Sequence, residues 1–139
     1  MKKNKKELLI FSALVLFIIG TGVVSAKLIF GICTTIASGN TFSSGAITAP
    51  YDNAKIELTP TNFTDTSYSK KTLLTIQVKS GSSYVTAVSE VKSLAYACHY
   101  FNYSDIGAGT WKVSLKQANA TGTIKYAGMT AELSVNSNS

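Results

Sequence analysis

The chain has no arginine, and its 139 residues include one histidine, one tryptophan, two prolines and two cysteines. Without guanidinium forks to grip phosphates and guanine edges, nucleic-acid recognition is not expected. One histidine and two cysteines fall short of a structural zinc set, and neighbours on a strand point to opposite faces, so Cys98 and His99 do not make a thiol–imidazole pair. No G-x-S-x-G, H-E-x-x-H or glycine-rich phosphate loop occurs. The acids Asp52, Glu57, Asp65, Glu90, Asp105 and Glu132 are scattered, mostly beside turns or at outward strand positions. The expectation is a protein that is not an enzyme and uses no metal or cofactor.

What is present begins with residues 1–26. Lysines 2, 3, 5 and 6 precede the apolar run Leu8–Ile19, followed by Gly20 and Gly22 and then Val24-Ser25-Ala26. This order is that of a secretory signal peptide, with cleavage expected between Ala26 and Lys27. An uncleaved anchor is the competing reading. The nineteen uncharged residues Leu8–Ala26, at about 1.5 Å each, nearly span a bilayer core of roughly 30 Å. Lipidation at Cys33 is disfavoured, because Ile32 rather than a small residue precedes it and Lys27 interrupts the apolar run.

Behind the leader, 113 residues suffice for one domain, expected over residues 27–135 with a flexible tail at 136–139. The formal charge falls from +6 to +3, so the strong basicity belongs mainly to the targeting signal. Lysine as the sole strong cation fits a bacterial exporter. Asn62-Phe-Thr, Asn102-Tyr-Ser and Asn119-Ala-Thr are sequons that matter only in a host that glycosylates asparagine.

Serine and threonine contribute 30 of these residues and suit turns and exposed strand faces. Alternation of period two recurs between turn signals. It predicts strands over 27–35, 46–49, 55–59, 72–79, 84–91, 93–101, 111–116, 121–127 and 129–135. Leu74, Ile76 and Val78 point one way while Thr75, Gln77 and Lys79 point the other. Pro50–Asn53 is a turn, Pro60–Lys71 the longest loop, and Asp105–Gly109 a flexible link. The spacing Val85, Val88, Val91, Leu94 also fits a helix. Seven to nine short strands predict an all-β, antiparallel sandwich of Greek-key or jelly-roll type. Its apolar residues Leu28–Ile32 should form a buried strand.

In an exported chain the pair Cys33 and Cys98 predicts a disulfide closing 64 intervening residues. On the chain-entropy model such a bridge is worth about 4 kcal/mol. The other reading is two free buried thiols. The densest aromatic patch is Tyr96, His99, Tyr100, Phe101 and Tyr103, with Trp111 soon after. Tyr100, Tyr103 and Trp111 are candidate ligand-binding residues, since aromatic faces stack on sugar rings and anchor protein partners, or else fill the core. The lysines at 70, 71, 79, 92, 112, 116 and 125 read as solvated faces or turns.

These features predict a secreted or cell-surface binding or structural module. Its expected partner is a cell-envelope polymer, a glycan or a protein, with the membrane engaged only through the leader. The alternatives are a secreted bacteriocin or toxin-like effector acting on membranes, and a surface protein held by an uncleaved leader.

Overall fold

The computed structural model describes residues 25–139. The leader, apart from Ser25 and Ala26, lies outside the described residues. Nine strands form: β1 (Ala26–Ile36), β2 (Thr41–Ser43), β3 (Ile47–Ala49), β4 (Asn53–Thr64), β5 (Lys71–Ser80), β6 (Ser83–Ser93), β7 (His99–Tyr103), β8 (Gly109–Lys116) and β9 (Gly128–Asn138). One sheet has the order β1-β9-β4-β7; the other has β2-β8-β5-β6, with β3 also paired to β8. All ladders are antiparallel. The two sheets pack face to face as a β-sandwich, as the alternation predicts, and 84–91 is strand rather than helix.

The alternation is read out almost residue by residue. Ile56 and Leu58 from β4 meet Leu74 and Ile76 from β5, Trp111, Val113 and Leu115 from β8, and Leu133 and Val135 from β9, all at 0–1 % exposure. Only β5 and β6 are joined by a tight hairpin, in which Gly81 (φ 64°) takes the first central position of a two-residue loop. That conformation suits glycine and the II′ turn that matches strand twist.

Gly128 opens β9 where the chain has no room. A Cβ there would sit 2.5 Å from Thr64 Oγ1 and 3.1 Å from the Ile36 carbonyl oxygen. Buried Gln117 ties the same end together, its Nε2 donating to the carbonyls of Lys71 (3.1 Å) and Ala127 (2.7 Å).

Six expectations are corrected. Residues 93–101 are not one strand: the chain bends at 94–98, burying Leu94 and exposing Tyr96. Tyr96 instead clasps the bend to β4, accepting a hydrogen bond from the Phe63 backbone N–H (3.1 Å) and packing edge-on to the Phe63 ring. Residues 121–124 form no strand; the segment before β9 makes only isolated bridges at Lys125 and Tyr126.

The expected long loop is shorter, because β4 continues through Pro60 to Thr64. Proline is tolerated there: β7 pairs β4 only over Ala54–Leu58, and a bulge between Pro60 and Asn62 already interrupts the ladder to β9. Residues 136–138 are not a tail. They pair with β1 on one side and β4 on the other, and the Ser139 N–H donates to the Ser25 carbonyl (2.8 Å). Leu28–Ile32 is a strand but not a buried one, with Leu28 61 % and Ile32 38 % exposed.

The predicted disulfide is absent: Cys33 and Cys98 are free and exposed. Cys33 lies on β1 and Cys98 immediately precedes β7, at opposite edges of the four-stranded sheet. Three strand spacings of about 4.8 Å separate those edges, twice the roughly 7 Å beyond which two Cα atoms cannot be bridged.

Two outcomes follow. Native protein without reductant should react with a thiol reagent at both cysteines; protection of both sites would contradict this topology. Gly128→Ala should lower stability in urea by about 1–3 kcal/mol through overpacking, and an unchanged midpoint would contradict the close approach.

Candidate functional site

β6 and β7 are the edges of their respective sheets on the same side of the sandwich, and the gap between them is a cleft of about 630 Å³. Ala87, Val88, Ser89 and Glu90 line one wall. Asn102, Tyr103, Ser104, Asp105 and Ile106 line the other.

Local sequence explains each wall. On β6 a bulge opposite Ile76/Gln77 leaves Ala87 unpaired, bending the strand at the cleft mouth. Val88 is buried, and residues two and four further along a strand share its face, so Glu90 and Lys92 face β7 across the cleft while staying partly open to solvent. The opposite wall is held by the Pro50–Asn53 turn. The Asp52 carbonyl accepts the Ile106 N–H (2.8 Å), its Oδ1 accepts the Ala108 N–H (3.0 Å), and Asn53 Oδ1 accepts the Asp105 N–H (3.0 Å). Asp105 adopts φ 58°, a conformation that Asp and Asn tolerate better than other side chains.

Charge and aromatic groups interlock across the gap. The Tyr103 hydroxyl donates to Glu90 Oε2 (3.0 Å), and Lys92 Nζ lies 2.6 Å from the same oxygen. The Lys92 ammonium also sits 5.0 Å from the Phe101 ring centroid and 5.8 Å from that of Tyr103. The hydrogen bond from Lys92, then that from Tyr103, holds the Glu90 carboxyl below its usual range. Burial, then the bond to Glu90, pushes the Tyr103 phenol well above its usual range.

The three aromatic candidates do not converge. Tyr103 faces the cleft. Tyr100 is on the opposite, solvent face of β7, 58 % exposed, with Lys55 Nζ 4.9 Å above its ring; its hydrogen bond with Cys98 raises its pKa. Trp111 is fully buried, its indole N–H donating to the Gly107 carbonyl (2.7 Å), and it offers no surface to a ligand.

Glu90 and Asp105 were not singled out from the sequence. The parity of Val88, Glu90 and Lys92 carried the signal for the first, since a buried valine fixes which side its i+2 neighbour faces. Lys92 is likewise not on a solvated face. Among the described residues, no group of three or more His, Cys, Asp or Glu is placed to hold a metal.

The cleft therefore combines one aromatic ring, the apolar side chains of Val88 and Ile106, two carboxylates and the Ser104 hydroxyl, with Ser89 and Asn102 bordering it at the alternate strand positions. Such a surface can stack a ring and accept hydrogen bonds from its hydroxyls. No protein-family model matches the chain, and no curated protein matches it.

The titrations test this geometry. A lowered Glu90 pKa adds stability that is present above the ordinary glutamate value and lost as pH falls through the lowered one. The stability gap between the native chain and Glu90→Gln should therefore narrow on acidification below about pH 4. A raised Tyr103 pKa adds stability below the ordinary tyrosine value that is lost as pH climbs. In an ultraviolet titration, Tyr103→Phe should remove the last of the seven tyrosine steps; loss of an ordinary step near pH 10 would contradict the cross-cleft bond.

Proposed function

We propose that this chain is an exported binding module whose β6/β7 cleft takes a neutral or amine-bearing glycan of the cell envelope or surroundings. The observation that carries the reading is the pairing of the Tyr103 ring with the carboxylates of Glu90 and Asp105 in one open cleft. A sugar ring presents C–H groups to an aromatic face and hydroxyls to acceptors at its edge. Two carboxylates against one lysine leave the cleft acidic, which selects against polyanionic polymers and favours uncharged or amino sugars.

Support for export is the leader: a lysine-rich start, an apolar run and a Val-Ser-Ala ending. The cleavage point falls at the start of β1, where Ser25 and Lys27 oppose Ser139 and Ser137. A peptidase needs that segment as a free extended chain, so cleavage precedes completion of the sheet.

Calorimetric titration against neutral, amine-bearing and polyanionic oligosaccharides tests the function. Binding to one of the first two classes is expected, with Tyr103→Ala weakening it about tenfold or more, in line with the 0.5–1.5 kcal/mol typical of an aromatic contact plus lost burial. Asp105→Asn, which keeps the backbone conformation, should weaken it too. Unchanged affinity in Tyr103→Ala, or binding only to polyanions, would remove the cleft from consideration.

A further inference from the structure

We infer that β1 is a docking edge for the β1 strand of a second copy of this chain. The two strands would pair antiparallel, with Cys33 on the two-fold axis, and join two four-stranded sheets into one of eight.

Among the described residues β1 has a single strand neighbour, β9, although it is eleven residues long. Its other side presents a row of unpaired backbone donors and acceptors. Sheet edges are ordinarily blunted by proline, by charge or by shortness. Of the other sandwich edges, β2, β3 and β7 span only three to five residues, and β6, as long as β1, carries the charged pair Glu90 and Lys92 within its length. β1 has no proline, one charge at Lys27, and apolar residues in contact with solvent at Leu28 and Ile32.

The same strand specifies its partner. A bulge between Leu28 and Phe30 breaks the regular ladder, so the uninterrupted stretch is Phe30–Ile36, seven residues with Cys33 at its centre. A two-fold axis through Cys33 is the register that uses all of it. Phe30 then opposes the partner's Ile36, Gly31 its Thr35, and Ile32 its Thr34. Opposed residues share a face, as antiparallel pairing requires. The stretch carries no charge, so no like charges meet, and the two Lys27 side chains lie at opposite ends. Cys33 meets its counterpart with Cα atoms about 4.5–5.5 Å apart, within the 4.4–6.8 Å of a disulfide.

The test uses the chain recovered from an exporting culture, whichever amino terminus it carries, by sedimentation in reductant and by cross-linking. A dimer is expected at tens of micromolar, turning to monomer in Ile32→Lys and Thr34→Lys, each with a native circular-dichroism spectrum. With oxidised glutathione, the Cys33 thiolate displaces one glutathione and the partner's Cys33 thiolate displaces it from the mixed disulfide. Two protein thiols are thereby oxidised and one glutathione disulfide is reduced to two glutathione thiols, which take up the two protons that the protein thiols give up. The covalent dimer should form in Cys98→Ser and not in Cys33→Ser.

Monomer throughout, a dimer that survives in a natively folded variant, or open-ended oligomers joining unlike edges would each overturn the inference. Glycan binding is measured separately on the monomeric variants, so failure at either site leaves the other readable.

Discussion

The structure depends on β9. This C-terminal strand is hydrogen-bonded along nearly its whole length to β1 on one side and β4 on the other, so it forms the middle of its sheet. Its inward residues Met129, Ala131, Leu133 and Val135 are almost wholly buried. The first sheet therefore cannot be completed until the last residues of the chain are in place. Every one of its ladders joins segments distant in sequence, which marks a fold whose pairing is slow to assemble. The pinch at Gly128, where Ile36, Ser38 and Thr64 crowd one backbone position, fixes the register in which β9 enters.

Centring the sheet on β9 decides what lies at its edges. β7 falls on one side, facing β6 of the second sheet, and the Glu90–Lys92 pair between them furnishes the polar wall of a cleft. β1 falls on the other side with no such pair. The two sides of the sandwich thus differ in kind: one is a recess suited to a small polar ligand, the other a bare backbone edge suited to a strand. The cysteines record the same asymmetry, since β9 and β4 stand between them.

Strand alternation made most of the fold legible in the sequence. Leu74 and Ile76, Trp111, Val113 and Leu115, and Ala131, Leu133 and Val135 all face inward as their spacing implies, because a two-sheet core enforces period two wherever one face is buried. Alternation misled at Tyr96 and Cys98, where the same pattern continues across a bend that Phe63 and Tyr96 hold. Composition misled at Pro60, which reads as a breaker but sits where β4 has lost one neighbour. It misled again over Cys33–Cys98, since pairing depends on strand order and neighbouring residues do not encode strand order. At the site, Tyr103 was visible and Asp105–Gly109 read only as a flexible link; their convergence with Glu90 required both sheets. Trp111 looked like a ligand platform only until its strand was placed at the centre of a sheet.

Residue-resolved native hydrogen exchange on dilute protein in reductant tests the primacy of β9 most directly. If the account is right, the ladder amides of residues 129–135 exchange only through global unfolding, matching the stability measured in denaturant. The amides of the bend at 94–98 exchange orders of magnitude faster. Fast, local exchange in β9 comparable to that bend would contradict a sheet organised around its last strand.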